Sequence, residues 1–481
     1  MKKNKIRISR ILFVVVVIAI IVLLLLLFDK FIGNDDTISF NIESSKKRAS
    51  EISELYKDDY NSSVLLKDSN INKSGSYELK GNYKCIKINT NLNVNLVLNN
   101  ANIVCDDGPA IYVENAKTLH VVLKGENSIN STTNIDLEGA IYSKDDLVFT
   151  GDGSLNITSN YEGIVSNDNL VIKGGKYSIN SFDDGIKGKD VVAIVDGEFI
   201  IKSHGDGIKS SNSQNKSKGY ITIDNGKFDI DSLKDGLQAE TDILIDNGVF
   251  KIKTSTDSEE SSKAIKANNL IEIKSGIFYI NSIDDGIKSG GNMKVDGGDF
   301  AINSNDEGIK VTGMFINSGN IKINSTDGIK ASYFRMDNGL LSIQAKDEGI
   351  TTIKDVKKYN ATYEMNDGSV AIQMGPGSKG GIVCPGNLIM HGGTLSVVGD
   401  LPFELSGTVS SDDGTIIRNG EKIENISSIA PRKKTGNNNQ NQGNNSDKQN
   451  SSSRDSSSHS ETNENGERSS RHSRSTQKKD Q

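Results

Sequence analysis

The sequence has no tryptophan, only 5 prolines and only 3 cysteines in 481 residues. So few cysteines exclude a disulfide scaffold, and no Cys/His spacing typical of a metal site is present. Proline is absent from 110–375, which suits a segment whose backbone N–H groups nearly all pair in a sheet. The net charge of −7, with both signs abundant, gives no support to nucleic-acid binding.

The first 33 residues predict a membrane anchor. A basic N-terminus precedes an apolar run over 11–28, which is just long enough to cross the hydrocarbon core of a bilayer. No small-x-small cleavage site follows this run, so we expect an uncleaved signal anchor, with cleavage as the alternative. The basic end should lie inside the cell and the bulk of this single-pass protein outside.

From about residue 160 to 350 the chain repeats an acidic Asp-Gly-Ile-Lys motif about every 22 residues, and a period in the 20s is typical of a solenoid. The copies are Asp184-Gly185-Ile186-Lys187, Asp206-Gly207-Ile208-Lys209, Asp235-Gly236-Leu237, Asp285-Gly286-Ile287-Lys288, Glu307-Gly308-Ile309-Lys310, Asp327-Gly328-Ile329-Lys330 and Glu348-Gly349-Ile350. Several short strands per repeat with glycine at the corners predict an all-β fold, the parallel β-helix. Crossover chirality favours the right hand.

Apolar residues recur at matching places in successive repeats. One series is aromatic, and another, two residues further on, is isoleucine, which is the alternation of an inward strand face. We therefore expect both series in the core rather than on a sugar-binding surface. The aromatic series is Tyr177, Phe199, Phe228, Phe250, Phe278 and Phe300.

These patterns divide the chain into four parts. After the anchor, residues 34–70 predict a stalk and an N-terminal cap, and 71–430 predict the β-helix, closed by a hairpin at Arg418-Asn419-Gly420-Glu421. Residues 431–481 are polar and contain no large apolar residue, so we expect a disordered tail. Cys85 and Cys105 lie about one repeat apart, and we expect small buried residues, with a disulfide as the alternative.

The acidic position of the repeat needs an explanation beyond the core. Stacking brings equivalent carboxylates such as Asp184 and Asp206 to about 5 Å, where they repel by about 3 kcal/mol at an effective dielectric constant of 20. Three partners are possible: backbone N–H groups of the turn, the lysine that follows the motif, or divalent cations. Calcium prefers six to eight oxygen ligands, which acidic turns supply.

Doubled acids favour the cation hypothesis, because one turn needs only one acid. Candidate Ca²⁺ ligands are Asp183, Asp184, Asp206, Asp235, Asp284, Asp285, Asp306, Glu307, Asp327, Asp347 and Glu348, with a second series at Asp146, Asp168 and Asp190. The lysines either neutralise these acids or bind an acidic polysaccharide along the rod. They are Lys187, Lys209, Lys288, Lys310 and Lys330.

Support for catalysis is weak. An active site is normally a unique departure from a repeat, and the paired acids are the repeat itself. Elimination of a polysaccharide on a β-helix needs Ca²⁺ and a strong base, usually Arg or Lys, and Arg335 is the one clear arginine of the solenoid. His204 replaces a residue that varies between repeats. We therefore assign no catalytic residue.

Several stretches in order resemble the carbohydrate-binding-domain family of clostridial cell-surface proteins over about 71–398. They include Asp107-Gly108-Pro109-Ala110-Ile111-Tyr112-Val113, Gly139-Ala140-Ile141-Tyr142, Asp184-Gly185-Ile186-Lys187-Gly188-Lys189-Asp190 and Asp235-Gly236-Leu237-Gln238-Ala239-Glu240-Thr241. The resemblance implies a lyase-like right-handed β-helix that binds Ca²⁺ and acidic plant polysaccharide such as polygalacturonate, with cellulose as a further ligand, and without clear enzymatic activity. It also implies Asp184, Asp190 and Asp206 as Ca²⁺ ligands. The chain departs from the family in its plain anchor and in Lys263, which replaces one acid.

The leading hypothesis is a monomeric, membrane-anchored protein on a Gram-positive cell surface that binds acidic polysaccharide with Ca²⁺ and does not act on it. One alternative is a polyuronate lyase or hydrolase on the same β-helix. Another is a structural spacer or adhesin of the wall without affinity for sugar.

Overall fold

Each repeat folds into one coil of three short strands. A computed structural model describes residues 43–57, 62–132, 139–255, 262–354 and 359–429. Each strand pairs in parallel with its equivalent in the next coil, as in Ile186 with Ile208, Val192 with Ile221 and Phe199 with Phe228. The all-β parallel solenoid predicted from the repeat is therefore confirmed, and its handedness stays a prediction.

The pairing divides the strands into three faces, here called sheets A, B and C in the order in which a coil visits them. Sheet A contains the strands that follow the acidic motif. They are Asn70–Ile71, Ile86–Asn89, Ile111–Asn115, Ile141–Ser143, Ile164–Ser166, Ile186–Gly188, Ile208–Ser210, Leu237–Ala239, Ile265–Ala267, Ile287–Ser289, Glu307–Lys310, Gly380–Cys384 and Phe403–Leu405.

Sheet B follows after a short turn. Its strands are Val64–Leu65, Thr118–Lys124, Asp146–Gly151, Asn169–Ile172, Val191–Ile194, Tyr220–Ile223, Asp242–Ile245, Leu270–Ile273, Asn292–Val295, Gly313–Ile316, Tyr333–Met336, Thr362–Met365, Asn387–Met390 and Thr408–Ser411. Two longer strands, Gly75–Tyr83 and Asn93–Cys105, continue from sheet B into sheet C.

Sheet C carries the aromatic series. Its strands are Glu126–Ser131, Ser154–Ser159, Lys176–Ser181, Glu198–Ser203, Lys227–Ser232, Val249–Thr254, Ile277–Ser282, Asp299–Ser304, Ser369–Met374, Thr394–Val398 and Thr415–Arg418. Asn320–Ala331 and Leu340–Thr352 continue from sheet C into sheet A.

The core is built from ladders of identical side chains, as the alternation predicts. From Tyr177 to Phe300 the rings stack face to face with centroids 4.5 to 5.0 Å apart. These rings are buried, and so are the isoleucines two residues further on. Glycine ends the turn between sheets B and C. At Gly226 φ is +138°, and a Cβ would lie 2.9 Å from the Phe228 ring and 3.1 Å from the Gly197 carbonyl oxygen.

The predicted closing hairpin is confirmed. Thr415–Arg418 pairs in antiparallel fashion with Glu421–Lys422, and the turn residues Asn419 and Gly420 both have positive φ. A 3-10 helix over Ile426–Ser428 follows. Cys85 and Cys105 form a disulfide. The preferred interpretation as free buried cysteines is therefore wrong, because the coil register brings their Cα atoms within 4.9 Å.

Residues 43–57, here called the N-terminal strap, lie along the outer face of sheet B. The short α-helix Ala49–Ser53 buries Ala49 and Ile52 in a small cluster with Val148, Val171 and Ala193. Ion pairs of Arg48 with Glu272, at 2.6 Å, and with Asp246, at 3.1 Å, add polar contacts. The strap explains why both faces of several sheet B strands are buried.

The predicted anchor over 1–33 and the predicted tail over 431–481 lie outside the described residues. Among the residues that the structure describes, no helix has the length and apolar character needed to cross a membrane.

Candidate cation site at the acidic corner

The acidic motif lies at the turn between a sheet C strand and the sheet A strand of the next coil, here called the acidic corner. Although the motif is a turn, its first acid is buried in Asp184, Asp206 and Asp235. Each of these carboxylates accepts the backbone N–H at the equivalent position of the next coil. Asp184 Oδ1 accepts from Asp206, Asp206 Oδ1 from Asp235 and Asp235 Oδ1 from Lys263, at 2.8 to 2.9 Å.

Lysines bind the second oxygen of the same three carboxylates. Lys209 Nζ lies 2.6 Å from Asp206 Oδ2 and 3.3 Å from Asp184 Oδ2. Lys266 Nζ lies 2.8 Å from Asp235 Oδ2. Backbone amides and lysines together therefore satisfy the carboxylates of this stretch of the acidic corner. They are two of the three kinds of partner that the sequence analysis leaves open.

The pattern changes at Asp285 and Glu307. Both side chains are buried, with 1% and 2% of their surface exposed. Lysines bind one oxygen of each, since Lys288 Nζ lies 3.3 Å from Asp285 Oδ2 and Lys310 Nζ lies 2.8 Å from Glu307 Oε1. The other oxygens, Asp285 Oδ1 and Glu307 Oε2, have no hydrogen-bond partner among the described residues. Buried polar atoms are rarely left in that state.

Other acids lie close to Asp285 and Glu307. Ligand oxygens of Asp284, Asp285 and Asp306 all lie within 4.8 Å of one another, and so do those of Asp306, Glu307 and Asp327. Asp306 belongs to both groups. We call these five residues the cation corner. Asp306 is exposed and Asp327 half-buried, so the corner opens to solvent on one side.

The pKa values of three acids in the cation corner are shifted from their ordinary values. Burial, followed by the interaction with Glu307, raises the pKa of Asp285 to about 7 and the pKa of Asp306 to about 6. Burial acts against ionisation of Glu307 as well, but Asp285 and Asp306, which can donate to Glu307 only when they are protonated, and Lys310 outweigh it and lower the pKa of Glu307. The cation-free corner therefore holds a proton near neutral pH, as expected for carboxylates at contact distance.

We expect the cation-free protein to lose stability as the pH rises from about 5 to about 7. Over this window the folded state binds more protons than the unfolded state, because the pKa of Asp285 is raised to about 7 when folded. Glu307, whose pKa is lowered, is ionised in both states above pH 5 and does not change this sign.

Thermal unfolding at pH 5 and pH 8, with chelator and with Ca²⁺, measures this effect. Calcium should raise Tm at pH 8 more than at pH 5, since it replaces the proton at the ionised corner. A Tm that rises with pH in chelator would contradict the assignment.

The remaining predicted ligands have other partners or lie apart from the cation corner. Asp146 Oδ2 accepts from the Tyr56 hydroxyl of the strap at 2.8 Å. Asp190 binds Asn212 at 2.6 Å and Lys218 at 2.5 Å. Asp168 lies between these two on the corner from sheet A to sheet B, where burial and then Asp146 raise its pKa.

Two further predicted ligands follow the cation corner, and one precedes it. Asp347 pairs with Lys379 at 2.6 Å, and Glu348 accepts from the Thr351 hydroxyl at 2.5 Å. Asp183 is half-buried beside Asp184, and burial, followed by Glu162, raises its pKa.

All five predicted polysaccharide-binding lysines form ion pairs with acids of the acidic corner. Beyond the pairs above, Lys187 lies 2.9 Å from Glu162 and Lys330 lies 3.3 Å from Glu307. Their side chains are 22% to 38% exposed. The geometry therefore supports neutralisation of the acids as the principal role of the lysines.

Arg335, the candidate base of a lyase, lies on sheet B rather than at the acidic corner. Its Nε donates to Asp337 Oδ1 at 2.8 Å. Arg335 and the cation corner are thus on different faces of the β-helix.

Sequence reasoning missed the features that depend on the neighbouring coil. Lys263 stands where an acid is expected, yet its backbone N–H continues the ladder and its Nζ lies 2.7 Å from Asp284. The N-terminal strap was also not predicted, although the sequence contains a pattern that indicates it. Sheet B strands such as Val191–Val192–Ala193–Ile194 are apolar on both faces, which indicates a covering segment.

The fold and the cation corner together define a parallel β-helix that carries a cluster of acids, two of them buried and the others open to solvent. A family model described as carbohydrate-binding domain-containing protein matches residues 67–308, half of the chain. The chain belongs to this carbohydrate-binding family, which confirms the resemblance found in the sequence.

Among solved structures, the chain is similar to a polysaccharide lyase-like protein from C. thermocellum, determined as a gadolinium derivative. The two are 26% identical, the match covers 42% of this chain and 86% of that one, and the TM-score is 0.38. No curated protein matches the chain.

Proposed function

We propose that this protein binds an acidic, polygalacturonate-like polysaccharide and holds Ca²⁺ at the cation corner. One observation carries the proposal: Asp285 Oδ1 and Glu307 Oε2 are buried and have no hydrogen-bond partner among the described residues, and both residues belong to clusters of acids with ligand oxygens within 4.8 Å of one another. A bound cation would satisfy both atoms and relieve the repulsion between them.

The donor set suits calcium. Ca²⁺ takes six to eight oxygen ligands in flexible geometry, and the five carboxylates of the cation corner supply most of them. Asp306 and Asp327 lie on the solvent side, where water or a carboxylate of a bound uronate can complete the coordination. Such a shared ion joins an acidic sugar to an acidic protein. The lack of tryptophan also favours contact through charge.

The binding is proposed to be non-catalytic. Polyuronate elimination needs a strong base beside the metal-bound sugar, and Arg335 is ion-paired on another face. We propose further that the β-helix acts outside a Gram-positive cell, held by the anchor predicted from the sequence, and that it acts as a monomer. In that position the protein would hold wall or environmental polysaccharide at the membrane surface.

Retention on insoluble polygalacturonate, with and without chelator, tests the proposal. Binding that needs Ca²⁺ and is lost in chelator is the expected result, and equal retention in both would reject a calcium-dependent role. Unsaturated product should not accumulate during the incubation. Turnover abolished by Arg335→Ala would replace the binding function by a lyase function.

A further inference from the structure

Phe182 is an aromatic side chain on the surface of the acidic corner. It is 66% exposed, whereas the aromatic series of sheet C is buried. It follows Ser181, the last residue of a sheet C strand, and so occupies the first position of the turn. A large apolar side chain this exposed contributes little to the core.

The neighbouring coil extends this apolar surface. His204 occupies the same position one coil further, and its ring lies 4.5 Å from the Phe182 ring with an angle of 41° between the planes. Leu233, half-buried, occupies the position in the coil after that. The three side chains form a strip that runs along the acidic corner, parallel to the stacking of the coils.

Polar groups flank this strip. Asp183 lies next to Phe182, and the charges of Lys187, Lys209 and Lys234 act on its carboxylate. Glycine at position 205 leaves the room that Asp183 needs, because a Cβ there would collide with the Asp183 carboxylate. The strip therefore joins an apolar surface to groups that can bind hydroxyls and carboxylates, the mixture typical of ligand sites.

We infer that Phe182 and His204 form a platform on which a pyranose ring of the bound polysaccharide stacks. The C–H face of the sugar would lie on the Phe182 ring, and Asp183 and the nearby lysines would contact its polar groups. The inference rests on the proposed function only for the class of ligand. It assigns a second contact, independent of the cation.

The position of the platform suits a linear polymer. The ladder that begins at Asp184 runs through Asp206 and Asp235 to Lys263, and the next coil brings Asp285. The platform and the cation corner are therefore four coils apart on the same edge, roughly 19 Å at about 4.8 Å per coil. A polysaccharide lying along this edge would reach both.

The absence of tryptophan allows a direct test. In the Phe182→Trp variant of the whole chain, the single indole reports on the platform alone. Its emission should change saturably when oligogalacturonate is added in Ca²⁺, and should change in chelator only at higher oligogalacturonate concentration, because the platform contact alone is weak. Tyr279→Trp is the matched control, since Tyr279 is 55% exposed on sheet C, and its emission should not change.

Phe182→Ala tests the contribution to affinity. We expect roughly tenfold weaker binding to polygalacturonate, or about 1.4 kcal/mol, with unchanged Ca²⁺ affinity at the cation corner. Phe182→Tyr should restore the binding. Thermal unfolding should show the Ala variant as stable as the parent, because the ring is exposed.

Other outcomes separate this inference from the proposed function. If Phe182→Trp gives no response to acidic or neutral oligosaccharides, the platform is rejected even where calcium-dependent retention stands. If the parent fails to bind polygalacturonate but the indole responds to a neutral oligosaccharide, the platform stands and the acidic ligand is wrong. If Phe182→Ala alters self-association and not glycan binding, the strip is a contact between copies and the inference fails.

Discussion

Replacing Asp285 by Asn and Glu307 by Gln together should lower the Ca²⁺ affinity of the protein by about 100-fold, or about 2.7 kcal/mol. The double variant removes both negative charges behind the unpartnered oxygens Asp285 Oδ1 and Glu307 Oε2. Side-chain size is kept, so the coil should still stack. Calorimetric titration of chelator-treated protein measures the change, and retention on polygalacturonate should fall with it.

Asp206→Asn is the matched control for this variant. Asp206 belongs to the same ladder and is equally buried, but its oxygens bind the Asp235 N–H and Lys209. Asparagine keeps the oxygen that accepts the N–H, and we expect Ca²⁺ affinity within about twofold of the parent. An equal loss in both variants would mean that the whole acidic corner binds cations, as the sequence alone suggests.

Phe250→Ala should cost about 3 to 5 kcal/mol of unfolding free energy, the largest effect expected in the core. The ring is fully buried and stacks on Phe228 at 4.7 Å and on Phe278 at 4.8 Å. Truncation leaves a cavity in the middle of the ladder. A solenoid coil contacts only its neighbours, so neither flanking coil can move in to fill it without breaking its own pairing. Urea unfolding measures the loss.

Tyr279→Ala serves as the control for the core variant. Tyr279 lies on the next sheet C strand and points outward, so its removal should change stability by no more than about 0.5 kcal/mol. Similar losses of unfolding free energy in the two variants would show that the stacked rings stabilise the protein no more than an exposed ring does. The same result would undermine the assignment of the aromatic series to the core.

The fold was predictable because a solenoid uses one local rule many times. The spacing from Phe199 to Phe228 and from Ile186 to Ile208 fixes which residues pair in parallel. Burial then follows from the alternation along each strand. The closing turn was predictable for a similar reason, since Asn419 and Gly420 favour the positive φ that a tight hairpin needs.

The partners of each side chain were less predictable. The strap binds residues far away in sequence, as when the Ala49 and Ser50 N–H groups donate to Asp224, and no local pattern encodes such a contact. The sequence predicts that like charges stack in register, but it does not predict which groups bind them. At Asp184 the ladder uses an amide, whereas at Asp285 it does not. Glutamate at 307, one methylene longer than aspartate, coincides with this change.

The location of bound metal tests the account most directly. Crystals grown with Ca²⁺, or with Tb³⁺ in its place, should show anomalous density between Asp285 and Glu307, with Asp306 close to the ion. The ladder from Asp184 to Asp235 should carry none. Density at that ladder, or an empty cation corner at saturating Ca²⁺ and pH 8, would contradict the central claim that this corner departs from the repeat in order to bind a cation.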